Sequence, residues 1–277
     1  MWEKNTGGTI MINLFSYPFM VRAMIVGVII AGCAALIGPF IVLRRQSMIG
    51  DGLAHVSFAA VAISLLLGNQ PLLFSVPIVV LSSFFILKLS ESKHWDGDAA
   101  IAMVSSFSIA LGVLISSVNQ GFSVDLYSYL FGSLLVIRTY EVYLSIALGL
   151  VCLVLVYLYY QDLVSITYDE EFSKAHGIKV KRLNQLLAVL TSITVVLGIR
   201  MVGTMLISAL IIFPSVTALR VSRSFSGLLR HAVLISIISV IIGVIGSFYL
   251  NFPTGASIVL VNAVIFLLLQ VMIKVID

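Results

Sequence analysis

The sequence predicts an all-α, polytopic transmembrane helical bundle of about eight or nine spans, on three observations. Of 277 residues, 60% are hydrophobic and only 10% are charged; an average soluble domain carries about 25% charged residues. The mean hydropathy is +1.15, which leaves too little polar surface to face water, so the bilayer must be the solvent. Apolar runs recur from Met20 to Val275 with no intervening polar region of domain size, and residues 1–277 therefore read as a single transmembrane domain.

The elements follow in order. Residues 1–17 form an N-terminal tail leading to the first helix, and Met11 offers an alternative start. No cleavable signal peptide is read, because the first long apolar run lacks a small-residue cleavage site. A crossing helix needs roughly 20 apolar residues, and spans are read at 18–42, 48–67, 72–90, 99–118, 141–160, 184–200, 203–220, 229–250 and 255–275. The segment 125–137 is apolar but short, and reads as a re-entrant or partial helix buried in protein. Asn69-Gln70-Pro71 and Asn251-Phe252-Pro253 read as tight turns, and residues 161–183 as a cytoplasmic loop. Cys33 and Cys152, both within apolar runs, read as small core residues rather than a disulfide framework.

Basic residues orient the chain, since cytoplasmic loops carry the excess of Lys and Arg. With the N-terminus outside and the C-terminus inside, Arg44, Arg45, Lys88, Lys93, Lys174, Lys179, Lys181, Arg182, Arg220, Arg223, Arg230 and Lys274 are cytoplasmic, and only Lys4, Arg22, Arg138 and Arg200 fall outside. A full crossing by 125–137 would invert the basic loop at 161–183, which argues for the partial helix. The net charge of +4 does not indicate a nucleic-acid partner, because the basic residues are scattered at span ends where they anchor topology.

Nearly every charge lies at a span end or in a loop, with Asp51 as the main exception. An ionised carboxylate near hydrocarbon costs several kcal/mol and needs a partner or a polar pathway. His55 stands four residues on, on nearly the same side of a helix, so the two groups can address one point. A carboxylate and an imidazole suit a borderline divalent ion such as Zn²⁺, with Mn²⁺ as the alternative. Water, another helix or the same pair on a second copy would complete the shell. The residues alone equally allow Asp51 to cap its helix or to pair with Arg44 or Arg45. Ser57 adds a hydroxyl nearby but on another face. Asp125, after Asn119, Gln120 and Ser123, reads as a cap of the partial helix and as a secondary candidate for a cation entrance. His94, His176 and His231 lie in loops or at span ends and read as structural or incidental.

In the loop at 161–183, a short amphipathic helix is read from Asp169 to His176, with acids in its first turn and Gly177 as its C-cap. Phe172 and Ala175 share a face too small to bury itself, so the helix reads as a docking element for a partner.

With these residues in hand, the chain resembles the permease subunit of the ATP-binding-cassette importers of metal cations, the zinc, manganese and iron group. The resemblance runs from about Met11 to the end and rests on six segments in order: Leu43–His55, Asp98–Ile101, Tyr127–Ser133, Asp169–Ile178, Val202–Pro214 and Pro253–Ala256. It implies a bundle of the importer-permease type in the cytoplasmic membrane of a prokaryote. It implies that Asp51 and His55 form the translocation site. It also implies that Asp169, Glu170, Glu171, Phe172, Ala175, His176, Gly177 and Ile178 form the coupling helix that docks on a cytoplasmic ATPase. Further implied partners are an extracellular metal-binding protein or lipoprotein, a second copy of the chain, and membrane lipid. The transported ion is cargo, and no permanently bound cofactor is implied. The wording Gly-Leu-Ala-His-Val-Ser-Phe-Ala at 52–59 is closer to the zinc branch than to the manganese branch, and Ala60 stands where many relatives have Gly.

The sequence contains no phosphate loop Gly-x-x-x-x-Gly-Lys-Ser/Thr, so it reads as a transport subunit and not an enzyme, with ATP hydrolysis left to another polypeptide. Three rival classes are weaker. A permease for chelates such as haem or siderophores needs a wide neutral cavity rather than an Asp/His pair. A proton-coupled secondary transporter predicts inverted repeats, which are not evident. An intramembrane metalloprotease needs His-Glu-x-x-His, which is absent.

Overall fold

The computed structural model describes residues 16–67, 71–90, 97–118, 129–133 and 137–276, and these contain helices and connections with no strand. The helices are α1 (Pro18–Leu43), α2 (Met48–Leu66), α3 (Pro71–Ser90), α4 (Gly97–Val118), α5 (Thr139–Leu158), α6 (Tyr160–Tyr168), α7 (Glu170–Ala175), α8 (Val180–Val202), α9 (Ile207–Val221), α10 (Phe225–Leu250) and α11 (Thr254–Ile276). Seven of them, α1, α2, α4, α5, α8, α10 and α11, are long and apolar enough to cross a membrane. α3 is a 20-residue apolar helix as well, and α9 is a shorter one.

The expected span 203–220 is therefore corrected to a 15-residue helix. At about 1.5 Å per residue it reaches roughly 22 Å, short of a hydrocarbon core of about 30 Å. The reason lies at Gly203, whose φ of +91° ends α8. Only glycine takes that conformation without a Cβ penalty, and a Cβ there would strike the carbonyl of Leu130. Residues 203–206 thus pair laterally instead of coiling: the Thr204 amide donates to the Tyr129 carbonyl at 2.9 Å, and the Ser133 amide donates to the Arg200 carbonyl at 3.2 Å. Of the expected partial helix at 125–137, residues 129–131 are helical, while Asp125 lies outside the described residues together with Asn119, Gln120 and Ser123. His94 and the Asn69-Gln70 turn also lie outside them.

The α10–α11 turn forms where it was read. Asn251, with φ of +54°, caps α10 in the left-handed region, which Asn tolerates better than most residues. The Ser247 hydroxyl donates to the Phe252 carbonyl at 2.7 Å. α8 begins at Val180 rather than 184, which takes Lys181 and Arg182 into its first turn.

α1 lies at the centre, packed by α5, α8, α9 and α10, and α2 is held between α3 and α4. One buried cluster joins α1, α2, α3, α8, α9 and α10 through residues such as Ile30, Leu53, Val79, Ile199, Ile207 and Val240. A second binds α1 to α6, α8 and α10 around Phe40, Leu163, Leu187 and Phe225. The outward faces of α4, α5 and α11 carry Phe107, Leu150, Tyr157, Leu260 and Leu268 exposed, as lipid-facing surfaces require. Pro39, Pro77 and Pro214 sit inside helices. Around Pro214, the Ser215 and Thr217 hydroxyls donate to the Ile211 and Phe213 carbonyls, a common way of satisfying backbone groups beside an intramembrane proline.

Candidate functional site

Asp51 sits in the first turn of α2 and His55 one turn later. His55 Nε2 and Asp51 Oδ2 are 3.5 Å apart, with the imidazole 17% and the carboxylate 33% exposed. Two donors each about 2.0–2.1 Å from a tetrahedral ion stand roughly 3.3–3.4 Å apart. The pair thus presents one oxygen and one nitrogen at the separation a single divalent ion spans. α9 approaches the same point: Ser208 Oγ donates to Asp51 Oδ1 over a long 3.4 Å. Ser208 was not singled out by sequence reasoning, because its spacing to Asp51 is set by packing and not by any motif.

Two structural roles open to Asp51, the N-cap and a pairing with Arg44, are not taken up. The N-cap of α2 is Ser47, and the Arg44 guanidinium is engaged elsewhere, donating to Asn184 Oδ1 at 2.7 Å and Glu170 Oε2 at 2.6 Å. Ser57 is fully buried, and its hydroxyl has no hydrogen-bond partner. Among the described residues no group of three or more His, Cys, Asp or Glu converges as a closed metal site. A pair with open positions suits an ion that must leave again.

The short helix expected after Asp169 also forms. α7 is capped by Asp169, whose side chain accepts from the Phe172 amide at 2.9 Å. The Ile178 amide returns to the Ser173 carbonyl and the Gly177 amide to the Lys174 carbonyl, with Gly177 at φ of +80°. This paired closure is a Schellman motif. The helix is pinned on its inner side by a 2.7 Å hydrogen bond shared by the Ser165 and Ser173 hydroxyls and by the Arg44–Glu170 ion pair, with Lys174 Nζ 2.8 Å from Glu170 Oε1. Burial alone would raise the Glu170 carboxyl; the Lys174 hydrogen bond and the Arg44 charge outweigh it and hold the group below the ordinary range. The opposite face leaves Tyr168 and Phe172 more than half exposed, with the Phe172 and His176 rings 4.0 Å apart. Ala175 is exposed as expected.

One pairing was not expected from the sequence. Arg200, expected at an outer span end, is 9% exposed and pairs with Glu141, which is 3% exposed, at 2.7 Å. Arg200 and Glu141 thus form a buried charged pair in addition to Asp51 and His55. Arg200 also donates through Nε to Glu141 at 3.1 Å and through Nη1 to the Tyr129 hydroxyl. Each residue lies near a helix end in sequence, so the pairing between α5 and α8 is invisible to periodicity.

Comparison with known proteins places these features in context. Residues 16–273 match the model of the ABC 3 transport family. The chain is 30% identical over 254 residues to the manganese transport system membrane protein MntC of Listeria monocytogenes, covering 92% of this chain and 90% of that one. It is 29% identical over 253 residues to the high-affinity zinc uptake system membrane protein ZnuB of Haemophilus influenzae, covering 91% and 97%. Among solved structures it superposes on PsaBC from Streptococcus pneumoniae in complex with Fab with a TM-score of 0.86 and 28% identity, covering 95% of each chain.

Proposed function

The chain belongs to the ABC 3 transport family, and from that premise we propose that it is the permease subunit of an ATP-binding-cassette importer for a divalent transition-metal ion, with Asp51 and His55 as the translocation site. The observation that carries this is the 3.5 Å separation of two converging donors at the start of α2. Similar identity to proteins named for manganese and for zinc supports Zn²⁺ and Mn²⁺ equally, and the mixed oxygen and nitrogen donor pair accepts either ion. The wording at 52–59 does not separate them.

In this reading the N-terminus is outside and the C-terminus cytoplasmic, in the plasma membrane, as the basic residues support. A metal-binding protein delivers the ion from outside, two copies of the chain enclose the path, and separate ATPase subunits drive alternating access. The exposed Phe172 face of α7, with Tyr168 at the end of α6 beside it, docks on the ATPase, through Asp169, Glu170, Glu171, Phe172, Ala175, His176, Gly177 and Ile178. Motion reaches the ion by a short path: Glu170 grips Arg44, and residues 44–47 lead directly into α2, which carries Asp51 and His55 one turn further on. Asp125, outside the described residues, stays a candidate for a cation-concentrating entrance.

The test is uptake of radioactive Zn²⁺ and Mn²⁺ by cells starved of each metal, comparing wild type with Asp51→Asn and His55→Ala at matched membrane levels. Loss of about tenfold or more is expected, as removal of one of few strong ligands costs more than the 10–100-fold of an outer-shell change. Undiminished uptake by both variants refutes the site.

A further inference from the structure

The two cysteines of the chain, far apart in sequence, meet inside the bundle. Cys33 on α1 and Cys152 on α5 are both free thiols, buried at 8% and 2% exposure, and they line one cavity. Ser145, Gly149 and Cys152 recur at helical spacing along one face of α5. Gly149 lets α1 approach closely, since a Cβ there would lie 2.5 Å from Ile29 Cγ2, with Cys33 Sγ next at 3.8 Å. The thiols border a cavity of about 20 Å³ that Ser145 and Thr194 also line. That is room for one water-sized occupant. Ser145 is 1% exposed, and its hydroxyl has no hydrogen-bond partner, an uncommon state for a buried polar group. The Thr194 hydroxyl is satisfied by the Leu190 carbonyl. Cys33 also lines a wider apolar cleft of about 330 Å³ with Gly32, Leu36, Leu150 and Val233.

We propose that Cys33, Cys152 and Ser145 form an intramembrane site for a soft divalent cation of the mercuric type, distinct from the Asp51/His55 pair and closing α1 onto α5 when filled. Thiolates select soft ions, and a mercuric ion is satisfied by two sulfurs, with the Ser145 hydroxyl as a weak third donor. Zn²⁺ prefers four strong ligands, more than this pocket offers. Charge decides between soft ions. One divalent ion replacing two thiol protons leaves a neutral complex, whereas a monovalent ion would leave a net negative charge in a low-dielectric site, which is costly. The apolar cleft admits neutral HgCl₂. Both S–H bonds break, two S–Hg bonds form, and two HCl leave for water: HgCl₂ + 2 RSH → Hg(SR)₂ + 2 HCl. No oxidation is involved.

The test uses the purified full-length protein, in which these are the only two cysteines. One equivalent of HgCl₂ is added, the protein is washed with excess glutathione, and retained mercury is counted by elemental mass spectrometry. Two thiols lining one small cavity bind as an intramolecular pair of high effective concentration. Wild type is expected to retain about one mercury per chain and to unfold at a higher temperature when loaded, because the ion bridges two helices. Cys33→Ser and Cys152→Ser are each expected to retain at least about tenfold less. The thermal shift of the wild type needs no variant, so misfolding of either one leaves the proposal testable. Equal retention by the single variants, no thermal shift, or loss of both thiols without bound mercury overturns the site. None of these readouts depends on transport, so they stand or fall independently of the metal-import reading.

Discussion

Replacing Glu141 by Gln isolates the energetics of the one deeply buried ion pair among the described residues. Glu141 Oε1 accepts two hydrogen bonds from Arg200 while Oε2 accepts the Arg138 amide at 3.0 Å. Glutamine keeps one oxygen and loses the charge, so it can serve Arg200 or the α5 N-terminus but not both. Arg200 would keep the Tyr129 hydroxyl and ring but lose the Glu141 charge at 9% exposure. Breaking one side of a buried pair costs about 3–5 kcal/mol. A change of 1 kcal/mol moves the unfolding temperature of a chain of this size by roughly 2–4 °C, so a loss on the order of 10 °C is expected. The assay is fluorescence-detected thermal unfolding of detergent-purified protein. The double variant Glu141→Met with Arg200→Met removes both charges and should recover most of the loss, as apolar replacement of a buried pair is often neutral. A Glu141→Gln variant within about 2 °C of wild type would refute the reasoning, and so would a double variant worse than the single.

The remaining expectations concern the segment around α7. The Glu170 carboxyl is held below its ordinary range, so the folded state binds fewer protons there than the unfolded state. Its stabilising effect is complete above the unfolded value of about 4.3 and fades as pH falls through the lower folded value. The difference in unfolding temperature between wild type and Glu170→Gln should therefore be constant from pH 8 to 6 and shrink below about pH 4.5; a difference that grows on acidification reverses the sign. Gly177→Ala should cost about 1–2 kcal/mol locally, the penalty of a left-handed conformation for an L residue. A Cβ there meets nothing within 4 Å, so the effect is conformational. It should appear as weaker coupling of ATPase to uptake in the reconstituted importer, and unchanged coupling counts against α7 as the docking helix.

The membrane-spanning character, most helix positions, the Asp51/His55 pair and the capped helix at 169–177 were legible in the sequence, because each depends on local chemistry. Hydrophobic runs declare themselves by length, two ligands four residues apart share a helix face whatever surrounds them, and Asp169 and Gly177 cap by rules that act within one turn. Tertiary structure alone decided what depends on contacts between distant residues. It brought Ser208 to Asp51, joined Arg44 to Glu170 across 126 residues, and neutralised Arg200 with Glu141 inside the bundle. It also shortened α9, because Gly203 turns so that residues 203–206 can pair with 129–133. A one-dimensional pattern reports which side chains share a face of one helix; which faces meet is a property of packing, and only the folded bundle contains it.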